Sequence, residues 1–119
     1  MQNSPKDFRK KVLGRKGEDL TCKYLKKQGY KILKRNYKTP FGEADIVALR
    51  DGWYCFVEVK ARESDVYGLP AEAVDRAKRQ RYRMIAKYFC SERREEVPCR
   101  FDVAAIFEGE LEYFENAFE

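Results

Sequence analysis

The sequence predicts an α/β or α+β fold, one mixed sheet flanked by two main helices in the order α-β-β-β-α-β-β. Three observations carry this. A stripe of helical period opens the chain. Two alternating apolar runs meet at Asp51-Gly52. A second helical segment then separates that hairpin from further strands.

Ser4-Pro5-Lys6-Asp7 reads as a helix start: a capping hydroxyl, proline at the first helical position, and an acid in the first turn. Leu13, Gly17, Leu20 and Tyr24 share one face, and Glu18, Cys22 and Leu25 form a stripe beside it. Gln28-Gly29 is the expected stop. Tyr30 to Tyr37 is the first predicted strand, and Thr39-Pro40-Phe41-Gly42 a turn. Glu43 to Leu49 and Trp53 to Ala61 are the next two, joined through Arg50-Asp51-Gly52. Glu63 to Pro70 reads as a loop. The second helix runs from Ala71 or Asp75 to Cys90, with Val74, Ala77, Met84, Ile85, Tyr88 and Phe89 among its apolar members. Glu92 to Pro98 is a charged connector. Phe101 to Phe107 is a fourth strand, and Leu111 to Phe114 a fifth after Gly109.

A length of 119 residues fits a single domain, 1–119, with one core. No apolar run approaches the roughly 18 residues of a membrane span, and no apolar segment of a secretory signal follows the basic start. The chain has no histidine, and Cys22, Cys55, Cys90 and Cys99 form no closely spaced pair. These features argue against clustered zinc ligands and against a mechanism that needs a histidine base. The cysteines read as reduced thiols of a cytoplasmic protein. Residues 1–38 hold 13 Lys and Arg against three acids, whereas residues 108–119 hold five Glu and no base. A basic third of this kind marks either a polyanion partner or a solvated helix face.

The chemistry concentrates on the hairpin. Because strand side chains alternate, Glu43, Asp45, Val47 and Leu49 share a face, as do Tyr54, Phe56, Glu58 and Lys60. Folding about Asp51-Gly52 sets Leu49 against Tyr54, Val47 against Phe56, Asp45 against Glu58 and Glu43 against Lys60. Opposed side chains have Cβ atoms about 5 Å apart. Two carboxylates at that distance need either a proton or a cation between them, and oxygen ligands suit Mg²⁺ or Mn²⁺. An adjacent lysine completes the parts for metal-assisted phosphodiester hydrolysis. The plainer alternative is an ordinary cross-strand Glu43–Lys60 salt bridge, with Asp45 and Glu58 at a solvent-exposed strand end.

The string Asp45 … Glu58-Val59-Lys60 resembles the PD-(D/E)xK signature of restriction-endonuclease-like nucleases, with Ala44-Asp45 in place of the Pro-Asp pair. A similarity to the YraN-like family of uncharacterised bacterial proteins covers nearly the whole chain. It is carried by Gly17-Glu18, Gly29-Tyr30, Gly42-Glu43-Ala44-Asp45-Ile46-Val47-Ala48, Phe56-Val57-Glu58-Val59-Lys60-Ala61-Arg62, Ala71-Glu72-Ala73-Val74, Lys78, Arg100-Phe101-Asp102-Val103 and Asn116-Ala117-Phe118. That resemblance implies a restriction-endonuclease-like fold and a likeness to archaeal Holliday junction resolvases, with branched DNA as a candidate substrate. It also implies roles. Asp45 and Glu58, with the Val59 carbonyl, would bind the metal, and Glu18 would reach it from the first helix. Lys60 would position or activate water. Glu18 has the alternative of pairing with a neighbouring base such as Arg15. Glu43 would support the ligands or pair with Lys60. Asp102 would support the site or serve as a structural acid. Arg15, Lys16, Arg62, Lys78 and Arg79 are candidate phosphate contacts, since binding to a nucleic-acid backbone is chiefly electrostatic. Related resolvase-like nucleases act as dimers, which makes a homodimer a candidate assembly. The alternative to a nuclease is a non-catalytic nucleic-acid-binding module that keeps the fold.

Overall fold

A computed structural model of the chain describes the backbone of residues 5–62 and 75–118, with side chains from residue 13 onward. Its elements are α1 (Pro5–Lys27), β1 (Lys31–Thr39), β2 (Gly42–Arg50), β3 (Trp53–Arg62), α2 (Arg76–Arg93), β4 (Cys99–Phe107) and β5 (Glu110–Phe118). The order is the predicted one. The strands form one sheet, β1-β2-β3-β4-β5, antiparallel except where β3 and β4 run parallel with α2 between them in the chain.

Local chemistry accounts for the boundaries. Asp51 and Gly52 both take positive φ, 51° and 81°. A two-residue hairpin turn demands that geometry, and glycine adopts it without strain. Arg50 therefore pairs with Trp53, and Leu49–Tyr54 and Val47–Phe56 follow in the expected register. Asp75 caps α2 by accepting the Lys78 N–H at 2.8 Å. Of the two predicted starts, Asp75 thus matches, while 71–74 lie outside the described residues, as does the predicted 63–70 loop. The helix runs past Cys90 to Arg93, where Arg94 turns left-handed with φ 55°. Ser4 also lies outside the described residues.

The fifth strand is longer than expected. Beyond Phe114 a register shift opposite Phe101/Val103 lets Phe118 pair with Phe101. Asp102 anchors that irregularity: it is fully buried, bonded by Arg100 at 2.9 Å and Tyr113 at 2.5 Å, and it accepts the Asn116 N–H at 2.8 Å. Asp102 thus ties β4 to β5 and does not line the acidic cavity described below.

The sheet buries both faces. Val47, Phe56 and Val103 pack with Tyr82, Ile85, Ala86 and Phe89 of α2. Ile46, Ala48, Cys55 and Val57 pack with Cys22 and Leu25 of α1. Gly17 lets α1 approach closely, because a Cβ there would stand 3.1 Å from Ile106 Cδ1 and 3.2 Å from Val59 Cγ1. Among the described residues no helix is long and apolar enough to cross a membrane.

Candidate active site

The hairpin does not stay closed. Pairing between β2 and β3 runs from Arg50–Trp53 to Ile46–Val57 and ends there. Beyond it, Gly42, Glu43 and Ala44 remain paired with β1, while Glu58 to Arg62 remain paired with β4. The two strands separate like a fork, and Asp45 and Glu58 stand at its base. The Val59 N–H donates to Asp45 Oδ2 at 2.7 Å. A side chain thus takes a donor that the ladder leaves unpaired on the β2 side, in keeping with the requirement that backbone donors be satisfied.

This geometry corrects two expected pairings, because the β2–β3 ladder ends at Ile46–Val57, one step short of an Asp45–Glu58 pair. Glu43 does not face Lys60, because the strands have already diverged. Lys60 Nζ lies instead 3.3 Å from Glu58 Oε1, since residues two apart on a strand share a face. Glu43 lines the cavity and is exposed.

The fork opens into a cavity of about 360 Å³. Glu18, Glu43, Asp45 and Glu58 line it together with Asn36, Lys78, Arg81 and Tyr82. Glu58 is the most engaged of the four acids. Lys78 Nζ donates to its Oε1 at 2.7 Å, and the Tyr82 hydroxyl donates to its Oε2 at 2.5 Å. Burial pushes the Glu58 pKa up, but those hydrogen bonds and the Lys78 and Lys60 charges outweigh it and leave the acid below its ordinary value. Asp45 lacks such help. Burial first, and then the Glu58 charge, push it up to about 7. Lys60 is lowered by burial and by neighbouring Lys78, while Lys78 is raised because its bonds to Glu58 outweigh its own burial. Glu18 is raised by burial; Arg35 lies 3.8 Å away and Asn36 hydrogen-bonds it. Its expected alternative partner, Arg15, is exposed.

The donor set suits a small hard cation. It offers only oxygens, and Asp45 Oδ1 has no hydrogen-bond partner among the described residues. No three Asp, Glu or Cys side chains among the described residues stand close enough to hold one ion together. Glu18 thus shares the cavity without joining Asp45 and Glu58 as a third close ligand. Two carboxylates are enough for Mg²⁺, which keeps several waters and commonly takes one or two carboxylates from protein.

Of the candidate phosphate contacts, Arg15 and Lys16 are exposed on α1, a turn or less from Glu18. Arg62 and Arg79 are half-buried and already engaged in interactions. Lys78 points into the cavity and neutralises Glu58. Sequence reasoning missed Tyr82, which is 2% exposed. The signal was present: Lys78, Tyr82, Ile85 and Phe89 lie at i, i+4, i+7 and i+11, one helical stripe. Asn36 and Arg81 were also missed. Asn36 has φ 51° within β1, which nothing in its neighbours announces.

A family model described as "Uncharacterised protein family UPF0102" matches residues 17–106. A UPF0102 protein of Thermodesulfovibrio yellowstonii is 45% identical over 106 residues, covering 89% of this chain and 95% of its own. One from Dictyoglomus thermophilum is 43% identical over 115 residues, 91% of this chain and 98% of its own. One from Shewanella oneidensis is 38% identical over 107 residues, 90% and 99% respectively.

Proposed function

As a member of the uncharacterised protein family UPF0102 the chain inherits no stated activity, and from its site we propose a Mg²⁺- or Mn²⁺-dependent nuclease that hydrolyses phosphodiester bonds of DNA. One observation carries this reading: Asp45 and Glu58 stand at the base of a strand fork, in one cavity, with Lys60 Nζ 3.3 Å from Glu58. A strand-end salt bridge requires neither the fork nor a second acid in the same cavity. The resemblance to restriction-endonuclease-like nucleases points the same way, and its resolvase branch makes branched or structured DNA the candidate substrate. It also makes a homodimer the candidate assembly, and the cysteines, read as reduced thiols, make the cytoplasm the expected compartment.

Asp45 and Glu58, with the Val59 carbonyl, would hold the cation. A hard divalent cation supplies Lewis-acid chemistry there, making water more acidic and offsetting charge on the phosphoryl oxygens. The chain's own groups do the rest. Lys78 and Tyr82 fix both oxygens of Glu58 and keep it ionised. Lys60 Nζ, its proton loosened by burial and by Lys78, orients the attacking water and stabilises charge that develops on the phosphate. Arg15 and Lys16, exposed near Glu18, draw in the polyanion.

The deciding experiment incubates wild type, Glu58→Ala and Lys60→Ala with linear, single-stranded, flapped and four-way-junction DNA in Mg²⁺, Mn²⁺ or EDTA. The expected result is metal-dependent cutting by wild type that both variants lose. Equal cutting by the variants, or none by wild type on any substrate, overturns the catalytic assignment. The Lys78–Glu58 ion pair favours a second reading, a non-catalytic nucleic-acid-binding module, since it already satisfies Glu58 without a metal. That reading expects salt-sensitive DNA binding, no cutting, and no effect of Glu58→Ala on affinity.

A further inference from the structure

Two α2 cations reach the acidic cavity, and they are differently placed. Lys78 turns inward and bonds Glu58. Arg81, about one turn later, lines the same cavity and is exposed. It makes no hydrogen bond or ion pair with the described residues, although four carboxylates line the cavity with it. Its stem lies over the β1–β2 turn: Arg81 Cδ is 3.6 Å from where a Cβ on Gly42 would sit. Gly42 has φ 136°, a conformation open to glycine, so the turn presents bare backbone to the arginine. The stem is supported while the guanidinium stays at the mouth.

A guanidinium always carries its charge and offers a rigid planar fork of donors that matches phosphate oxygens two at a time. Left open beside Asp45 and Glu58, it is complementary to an anion that approaches the acids from outside. We propose that Arg81 is the substrate-phosphate contact at the mouth of this cavity, gripping a backbone phosphate of the nucleic acid strand so that the strand lies across the β2–β3 fork. The inference rests on the reading that this cavity handles a phosphodiester. It assigns separate work to neighbouring cations: Lys78 keeps Glu58 charged, and Arg81 holds substrate.

The test is binding, which needs no cutting. Fluorescence anisotropy of labelled duplex and four-way-junction DNA, in EDTA and again in Ca²⁺, compares wild type with Arg81→Ala, Arg81→Lys and Lys87→Ala over a salt series. Circular dichroism checks that each variant is folded. Lys87 is exposed on the same helix but lines a different cavity, beside Cys90. Arg81→Ala is expected to weaken binding about tenfold and to reduce the salt slope by about one. Arg81→Lys should recover the slope without the full affinity, and Lys87→Ala should lose clearly less than Arg81→Ala. If Arg81→Ala binds like wild type, or Lys87→Ala loses as much, Arg81 is not the contact, and the nuclease reading stands untouched. If Arg81→Ala binds weakly as expected and wild type nevertheless cuts nothing with Mg²⁺ or Mn²⁺, the contact stands and hydrolysis falls. If wild type binds no DNA in either condition, both are overturned.

Discussion

Lys78 of α2 donates to Glu58 of β3 across 2.7 Å, so the helix supplies the counter-charge for an acid on the sheet. Lys78→Gln should therefore cost about 1–3 kcal/mol of folding stability near neutral pH, the scale of a hydrogen bond to a charged group. The same change should tighten binding of Mn²⁺, because an ammonium no longer competes for Glu58. Urea unfolding and calorimetric Mn²⁺ titration measure the two effects. Weaker Mn²⁺ binding in the variant would mean that Lys78 holds Glu58 in its ligating pose instead of competing for it.

Asp45 gives the metal-free protein a pH dependence. Its pKa rises from 3.8 to about 7 on folding, chiefly through burial and then through the Glu58 charge. The folded state therefore keeps this proton where the unfolded chain has lost it. Stability should decline as pH rises from about 4 to about 7, then level off. Glu58 is the opposite case: its pKa is lowered, so its contribution is present above its ordinary 4.5 and is lost as pH falls. In EDTA, Asp45→Asn should remove the decline and gain about 1–4 kcal/mol at pH 8; with Mg²⁺ or Mn²⁺ present the same variant should lose any cutting. Thermal melts from pH 4 to pH 8 test this. A variant melting curve parallel to wild type would refute it.

Gly17 sets the distance between α1 and the sheet. A Cβ there already meets Ile106, Val59 and Ala61 at 3.1–3.3 Å. Gly17→Val should cost about 1–3 kcal/mol by overpacking, despite the poor helix propensity of glycine. Because the added side chain presses on Val59, next to Glu58, it should also disturb the fork and weaken metal binding there. Chemical denaturation and Mn²⁺ titration would show both losses. A variant as stable as wild type would mean that the helix moves freely.

Cys90 ends its sulfur 4.0 Å from that of Cys99, and both are half-buried. Cys22 and Cys55 are buried. Treatment with hydrogen peroxide should oxidise the Cys90–Cys99 pair first, two thiols giving one disulfide as the peroxide is reduced to water. Mass spectrometry of peptides should find the loss of two hydrogens on that pair, absent in Cys90→Ser. Prior labelling of Cys22 or Cys55 would contradict this order.

The sequence by itself determined what is local. Folding about Asp51-Gly52 set the register of Leu49–Tyr54 and Val47–Phe56 whether the loop held two residues or four. Alternation placed Glu58 and Lys60 on one face. Helical period placed Glu18 beside Cys22, and Asp75 was one of the two starts that the sequence offered for α2. Family motifs along the chain pointed to Asp45, Glu58 and Lys60 together.

Only the tertiary structure decided where the ladder ends and what enters the gap. Alternation says which residues share a face, but not that β2 stays with β1 while β3 stays with β4 past Ile46–Val57. That split turned a predicted Glu43–Lys60 opposition into a Lys60–Glu58 pair and made room for a cavity. Lys78, Tyr82 and Arg81 reach it because α2 lies in the chain between two parallel neighbours, β3 and β4, and packs back over the sheet. Contacts made across twenty or more residues of chain depend on how whole elements dock, and short-range periodicity carries no record of that docking.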